Sequence, residues 1–271
     1  MSEEHVLVIT KEKFEQAGAF QGFKEADNKY LEEFFSPGQT KFIPRSEAES
    51  DPNFKQLIPY CLFICGSKLS NNRQILIYQR GKSSGEKRLS AKYSLGIGGH
   101  INPIDVAEDE NGLTAMGYLR AVEREIKEEL NIKGNFTIAS KGFINDDSNE
   151  VGKVHLGVIH VFELDNTDIT AGEEAISNLK FIEISELQAK RDELETWSQI
   201  ILDNLDSIVS DNVNMFLRAF YNEHKAKTTL DKILALRTYF IREPLTISVY
   251  TEEAELLALE YYILDQLGFS L

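Results

Sequence analysis

Basic residues are scarce in this chain of 271 residues, which carries 29 lysines and arginines against 44 aspartates and glutamates. The formal net charge is -15. Binding to long nucleic acids depends on neutralising phosphates with lysine and arginine, so this balance argues against such a partner. A small anionic substrate remains compatible with the charge if local cations hold it.

Long hydrophobic runs are also missing, since no apolar stretch approaches the roughly 20 residues that a membrane-spanning helix needs. The opening sequence MSEEHVLVIT is acidic and lacks the basic start and apolar stretch of a signal peptide. A hydrophobic content of 42%, a charged content of 27% and a mean hydropathy of -0.28 fit a soluble globular protein. We therefore expect a cytoplasmic protein with no membrane partner.

Cysteine occurs only at Cys61 and Cys65, within the apolar run IPYCLFIC. Residues four apart in a strand share one face of the sheet but lie too far apart to form a disulfide. The sequence therefore predicts two buried free thiols.

The signals for helices and strands are mixed along the chain. The runs LIPYCLFIC and QILIYQRG predict a hairpin, and YSLGIGGHI predicts a third strand. After a helix in GYLRAVEREIKEELNI, the segments FTIASKGFI and KVHLGVIHVFEL predict paired strands. NLKFIEIS predicts a last strand before one continuous helix, SELQAKRDELETWSQIILDNL, with Ser185 as its N-cap. This order predicts an α/β (α+β) fold without the regular alternation of a doubly wound parallel sheet.

Three segments are expected along the chain. Residues 1–55 form a lead-in packed on the core, which begins with the strand-like piece HVLVIT, and residues 56–207 form the main domain. Residues 208–271 read as a helical C-terminal extension. The apolar stripes of its helices need burial, and a homodimer is one hypothesis for what covers them.

The stretch REIKEEL, residues 124–130, gathers carboxylates on one side of a predicted helix. Helical spacing predicts that the side of this helix facing the core is formed by Leu119, Val122, Ile126 and Leu130. Glu125, Glu128 and Glu129 are neighbours at i, i+3 and i+4, where like charges repel by a few tenths of a kcal/mol per pair. A solvated face partly balanced by Arg124 is one interpretation, and a site for a divalent cation is the other.

The sequence from Arg124 to Ile132 resembles the second half of the Nudix box, whose form is G-x5-E-x7-R-E-U-x-E-E-x-G-U with U an aliphatic residue. Upstream, Gly98-Gly99 closes a strand where the family has its strand-to-loop glycine. The order of strands and helices fits the family over roughly residues 55–205. GEKRLSAKYSLGIGGHINP is similar to a little-characterised bacterial branch of Nudix phosphoesterases. The resemblance implies an α/β/α sandwich with a mixed sheet.

The loop half of the motif departs from the family pattern. Counting forward from Gly99, the glutamate position falls on Asp105, a shorter carboxylate; counting back from Arg124, it falls on Met116. Eighteen residues separate Asp105 from Arg124, which is an insertion of eleven relative to the motif, spanning residues 106–116. Both positions remain open from the sequence.

The resemblance implies a hydrolase acting on phosphoanhydride bonds, which uses Mg²⁺ or Mn²⁺ to cleave a nucleoside diphosphate linked to another group. Hard cations prefer carboxylate and carbonyl oxygens. The implied metal ligands are Gly99, Glu125, Glu128 and Glu129. Arg124 is implied to orient a glutamate through a salt bridge. A Nudix-fold nucleotide-binding or regulatory module without turnover is the alternative.

A general base and a substrate-binding group are also expected. In GEEAISNLKF, just before the last strand, Glu174 is favoured as the general base over Glu173, and a solvated acidic loop is the alternative. A basic island near KSSGEKR could hold an anionic substrate, although such islands are usually solvated. Its proposed substrate-binding residues are Arg80, Lys87 and Arg88.

Histidines lie in strand-like sequence at positions 100, 155 and 160. No cysteine or carboxylate lies at zinc-type spacing from them, so we expect packed side chains rather than metal ligands. Trp197 stands at helical spacing with Ile200 and Ile201, which predicts core packing rather than stacking on a base.

Overall fold

In the computed structural model, the structure describes residues 3–26, 30, 34, 38–66, 72–80, 92–106, 115–172 and 176–209. The chain divides into two compact units, residues 1–136 with 140–208 and residues 137–139 with 209–271. Apart from its first two residues, the predicted C-terminal extension lies outside the described residues. Among the described helices, none is long and apolar enough to cross a membrane.

A mixed sheet of ten strands dominates the first unit. The strands of the described part are, in chain order, β1 His5–Thr10, β2 Gly22–Glu25, β3 Lys41–Pro44, β4 Phe54–Cys65, β5 Gln74–Arg80, β6 Tyr93–Ser94, β7 Gly96–Ile97, β8 Leu130–Ile132, β9 Phe136–Asn145, β10 His155–Leu164, β11 Ile169–Ala171 and β12 Ile176–Glu183. The main path of the ten-stranded sheet has the order β12-β5-β4-β10-β9-β2. Strands β1, β3, β6 and β7 pair beside this path, and β8 and β11 form a separate two-stranded sheet.

Helices cover both faces of this sheet. The helices of the described residues are α1 Lys11–Gly18, α2 Arg45–Ser50, α3 Ala115–Glu129, α4 Glu150–Lys153, α5 Ile184–Leu187, α6 Thr196–Asp203 and α7 Leu205–Val209. Tyr118 of α3 contacts His160 of β10, whereas Trp197 of α6 packs against Gly157 of the same strand. Because strand residues three apart point to opposite faces, α3 and α6 lie on opposite sides of the sheet. The predicted α/β/α sandwich is confirmed.

Strand β4 forms the centre of the sheet. It pairs in parallel with β10 over ten residue pairs, from His155 opposite Gln56 to Leu164 opposite Cys65. On its other side β4 pairs antiparallel with β5, which confirms the predicted hairpin. A strand with neighbours on both edges and helices on both faces needs a nearly continuous apolar run, as LIPYCLFIC supplies. Both cysteines are free; Cys61 is buried, and the other thiol is partly exposed.

The strand predicted in YSLGIGGHI is instead two short strands with different partners. β6 pairs with β5, and β7 pairs with β4. Between them Leu95 leaves the ladder, and its backbone N–H donates to the Ser198 hydroxyl at 2.8 Å. The change of partner brings the Gly-Gly pair that follows alongside the central strand.

The prediction of one continuous second helix is wrong. The segment forms α5, a 3-10 helix over Gln188–Glu193, and then α6. Leu194 and Glu195 between them are extended: Leu194 bridges to Tyr93, and the Glu195 carboxylate accepts hydrogen bonds from two backbone N–H groups at the start of α6. The bridge joins residues about one hundred positions apart, and helical periodicity does not report such a contact. Ser185 lies inside α5 and is not its N-cap.

The lead-in supplies part of the sheet. β1 matches the predicted strand HVLVIT and pairs with both β3 and β4, and β2 pairs with β9. The Leu7 backbone N–H donates to the Ile101 carbonyl at 3.0 Å. The lead-in therefore fixes the chain just beyond Gly99.

Candidate active site

The glutamate helix, α3, presents a different face to the core from the one predicted. Its buried residues include Tyr118, Ala121, Val122, Glu125 and Ile126. Leu119, predicted as a core residue, is 39% exposed, so that prediction is wrong, and Tyr118 takes its place in the stripe. Leu130 is buried as predicted but begins β8 rather than continuing the helix. The rotated stripe places one of the three glutamates on the buried face.

The three glutamates of α3 lie in different environments. Glu125 is 8% exposed, Glu129 is half-buried and Glu128 is exposed. Burial raises the pKa of Glu125 to about 7; the neighbouring Arg124 acts against the rise, and the other two carboxylates add to it. Near neutral pH this carboxyl group is therefore close to half protonated. A bound cation would favour its charged form.

Gly99 lies directly against the Glu125 carboxylate. A Cβ added at residue 99 would overlap Glu125 Oε2 and lie 2.8 Å from Glu125 Cδ. The preceding Gly98 is equally close to β4, because a Cβ there would overlap the Pro59 carbonyl oxygen. The missing side chains therefore let the backbone of the Gly-Gly pair run close to both the central strand and the helix.

Arg124 connects the glutamate helix to the loop that follows Gly99. Its Nε and Nη2 each donate to one oxygen of Asp105 at 2.9 Å, and Nη2 also donates to the His100 carbonyl at 3.1 Å. Asp105 is buried, and its Oδ2 accepts a further hydrogen bond from the Asn102 backbone N–H at 2.9 Å. A two-point pairing of guanidinium and carboxylate fixes both distance and orientation.

Asp105 therefore fills the loop carboxylate position that the sequence left open. The alternative, Met116, lies in the first turn of α3. The shorter aspartate reaches Arg124 because a 3-10 turn over Pro103–Asp105 brings its backbone close to the helix. Within the insertion, residues 107–114 lie outside the described residues, and residues 115 and 116 belong to α3.

Negative charge is in excess around Arg124. Its Nη1 contacts Glu125 at 2.7 Å and Glu128 at 3.1 Å, so the same guanidinium serves three carboxylates including Asp105. No group of three histidine, cysteine, aspartate or glutamate side chains within the described ranges is placed to hold a metal ion. The donor types nevertheless fit a hard divalent cation, since the Glu125 carboxylate lies against the Gly99 backbone, which offers a carbonyl oxygen.

The predicted general base, Glu174, lies outside the described residues, as does Glu173. The chain that leads to them is fixed at the last turn of α3. The Gly172 backbone N–H donates to the Glu129 carbonyl at 2.8 Å, and a Cβ at residue 172 would lie 2.6 Å from the Glu128 carbonyl oxygen. The acidic segment therefore begins beside the glutamates of the helix.

The basic island is described only at its first residue. Arg80 ends β5, and its backbone pairs with that of Ile176 at the start of β12. Lys87 and Arg88 lie outside the described residues. The two strand ends that meet here border the segments carrying the predicted base and the predicted substrate-binding residues.

A buried polar pair under α3 was not assigned a role from the sequence. The Tyr118 hydroxyl and His160 Nε2 are 2.6 Å apart, and His160 is 2% exposed. Burial lowers the pKa of His160 to about 4, so the ring is neutral near pH 7. Helical spacing is the sequence signal that could have placed Tyr118 on the buried face. Tyr118 precedes Glu125 by seven residues, about two turns, so both side chains lie on the same face of the helix.

We expect the stability of the folded chain to fall as pH drops from 6.5 to 4. In that range the histidine of the unfolded chain binds a proton, whereas buried His160 of the folded chain, with its lowered pKa, stays neutral. Acidification therefore favours the unfolded chain, and stability that is present above pH 6.5 is lost. The shift corresponds to about 3 kcal/mol. Urea unfolding at pH 7.5 and pH 4.5 measures the loss, which should be smaller in His160→Gln.

His100 also has a pKa lowered to about 4 by burial and contributes in the same direction. The comparison of His160→Gln with wild type isolates the part that belongs to His160. An equal loss of stability in the two proteins would show that His160 is not its source.

No protein-family model matches the chain, but known proteins resemble about 70% of it. Protein YmaB of Bacillus subtilis (strain 168) is 34% identical over 193 residues, which cover 69% of this chain and 89% of YmaB. The crystal structure of Tm1382, described as a candidate Nudix hydrolase, matches with a TM-score of 0.60 and 29% identity. That match covers 74% of this chain and 98% of Tm1382.

Proposed function

Because this chain belongs to the Nudix superfamily and is a hydrolase of phosphoanhydride bonds, we propose that it cleaves the pyrophosphate bond of a nucleoside diphosphate linked to another group. We propose Mg²⁺ or Mn²⁺ as its cofactor. The observation that carries the proposal is the buried Glu125 carboxylate held between Gly99 and Arg124. A desolvated carboxylate against a bare backbone suits a divalent cation, which can in turn bind a phosphate, better than it suits a structural role.

Gly99, through its carbonyl oxygen, and the carboxylates of Glu125, Glu128 and Glu129 would hold the cation. When bound, a divalent cation neutralises charge on phosphate oxygens and lowers the pKa of a coordinated water. Glu125 supplies a carboxylate that is already stripped of most of its water. Glu129 lies one turn further along the helix, and the exposed Glu128 is free to exchange its pairing with Arg124 for one with a cation.

Arg124 acts on the loop and the helix rather than on the substrate. By binding Asp105 and the His100 carbonyl, it keeps the chain after Gly99 in place against Glu125. Its remaining contacts limit the repulsion between the carboxylates while no cation is bound. Loss of Arg124 would therefore loosen both parts of the site at once.

Glu174 is proposed as the general base that takes a proton from the attacking water. Support comes from the hydrogen bond of Gly172 to the last turn of α3, which starts the acidic segment beside Glu129. Arg80, Lys87 and Arg88 are proposed to hold the anionic substrate. Support for this part comes from the pairing of Arg80 with Ile176, which follows the Glu174 segment by two residues.

A binding or regulatory module without turnover is the second candidate. The observation in its favour is that, over the part of the chain that the structure describes, the carboxylates do not form a three-ligand metal cluster. Such a module would bind a nucleotide or a cation but release no product.

A substrate panel tests the proposed function. Nucleotide sugars, dinucleoside polyphosphates and ADP-ribose are incubated with wild type and Mg²⁺ or Mn²⁺, and release of phosphate or mononucleotide is measured. We expect hydrolysis of at least one compound, reduced about a hundredfold in Glu128→Gln and Glu129→Gln because each loses a charged ligand.

Two results would change the interpretation. An inert wild type that still binds Mn²⁺ in calorimetry would favour the binding module. Variants as active as a working wild type would overturn the assignment of the helix glutamates.

A further inference from the structure

A short polar contact lies in the buried layer between α3 and the sheet. Tyr118 is 5% exposed and His160 2%, and their polar atoms are 2.6 Å apart. Either the hydroxyl donates to Nε2 or the protonated Nε2 donates to the hydroxyl oxygen, depending on the tautomer. In both cases the loss of the tyrosine hydroxyl leaves the Nε2 atom of His160 in a dry layer, which is costly.

The contact belongs to a row of residues that crosses the sheet beneath α3. His160 of β10 stands opposite Cys61 of β4, and Cys61 in turn stands opposite Ile97 of β7. Paired residues on neighbouring strands project to the same face. Gly99 follows Ile97 by two residues, so the row runs from His160 at one end toward the glycine that contacts Glu125.

The glutamate helix is attached at both ends of this row. Tyr118 contacts β10, and Glu125, seven residues or about 10 Å further along the helix, lies against Gly99. Between these points the buried helix residues include Ala121 and Val122, whose apolar contacts restrict direction only weakly. A hydrogen bond restricts both distance and angle.

We propose that the hydrogen bond between Tyr118 and His160 sets the rotation and depth of α3 so that the Glu125 carboxylate stays against Gly99. Tyr118 and His160 are then positioning residues of the cation site, and this inference rests on the proposed function for its consequence in catalysis. Glu125 contacts a backbone with no side chain, so a small rotation of the helix changes the distance between the carboxylate and the Gly99 carbonyl.

The reactivity of Cys61 tests the position of the helix without any metal. The chain has two cysteines, so Cys65→Ser leaves Cys61 as its single thiol. Cys61 is fully buried beneath α3, and Ellman's reagent reaches it only when this part of the protein opens. In the full-length Cys65→Ser chain, Tyr118→Phe is expected to raise the labelling rate about tenfold.

Tyr60→Phe is the matched control. Tyr60 is 5% exposed, and its hydroxyl donates to the Glu195 carboxylate at 2.6 Å on the opposite face of the sheet. Its loss removes a buried hydrogen bond of the same length, so it reproduces the general loss of stability. Labelling of Cys61 should rise much less in Tyr60→Phe than in Tyr118→Phe.

Cation binding and kinetics test the consequence for the site. In calorimetry with Mn²⁺, Tyr118→Phe should weaken binding about fivefold, and in the hydrolysis assay it should lower kcat more than it changes KM. Adding His160→Leu to Tyr118→Phe removes both polar groups and should restore stability. The double variant should not restore Mn²⁺ affinity, because the hydrogen bond between Tyr118 and His160 is still missing and the helix is not held at this depth against β10.

Two results would overturn the proposal: equal labelling rates in Tyr60→Phe and Tyr118→Phe, or recovery of Mn²⁺ affinity together with stability in the double variant. Failure of the proposed function is distinguishable. A wild type that neither binds Mn²⁺ nor hydrolyses any member of the panel contradicts that function, while the labelling of Cys61 still decides whether the pair positions the helix.

Discussion

Replacing Glu125 with glutamine is expected to lower kcat/KM about a thousandfold while the protein stays folded. Glutamine keeps the shape of the side chain but removes the negative charge beside Gly99, where a divalent cation would be held. Stability should change little, because burial already raises the pKa of this carboxyl group to about 7 and disfavours its charged form. Steady-state hydrolysis and urea unfolding measure the two effects.

Glu123→Gln provides a matched control on the same helix. Glu123 is exposed and pairs with Lys127 at 2.7 Å, an i,i+4 surface contact worth a few tenths of a kcal/mol. Its replacement should leave kcat/KM within about twofold of wild type. If Glu125→Gln retained activity similar to that of this control, Glu125 would not be a cation ligand.

The adjacent glycines should respond in opposite ways to alanine. In Gly98→Ala the new Cβ would overlap the Pro59 carbonyl of β4, a central strand that has no room to move. We expect a loss of about 3 kcal/mol in the free energy of unfolding. In Gly99→Ala the Cβ would instead meet the carboxylate of Glu125, which is the end of a flexible side chain.

Gly99→Ala should therefore cost less than about 1 kcal/mol of stability but lower kcat/KM about a hundredfold, since the carboxylate must move away from residue 99. Thermal unfolding and the hydrolysis assay separate the two outcomes. A Gly99→Ala protein with wild-type activity would show that the contact with Glu125 has no part in catalysis.

The sequence predicted the glutamate helix and the central hairpin because both depend on local patterns. The predicted buried face of α3 began one residue too late, at Leu119 rather than Tyr118. Both residues are compatible with a buried stripe, and only the contact with β10 decides between them. The motif likewise left two candidates for the loop carboxylate. Only the two-point contact between Asp105 and Arg124 distinguishes them.

Contacts between distant parts of the chain account for the other differences. The break before α6 depends on the bridge between Leu194 and Tyr93, and the buried pair under α3 joins residues 42 positions apart. The bridge leaves no periodic signal in the sequence, and helical spacing can place Tyr118 on the buried face but cannot identify His160 as its partner. Within the candidate site, the residues close to the motif were therefore predictable, and the residues that support the helix from the sheet were not.

The pairing of Arg124 with Asp105 has a consequence for how the chain between Asp105 and α3 can change in length. Asp105 is held by Arg124, and the first part of α3 is held by the contact of Tyr118 with His160, so neither attachment depends on residues 106–114. The entropic cost of closing a flexible loop rises slowly, by about 0.6 kcal/mol for each doubling of its length. Residues can thus be gained or lost between Asp105 and α3 at little cost in stability.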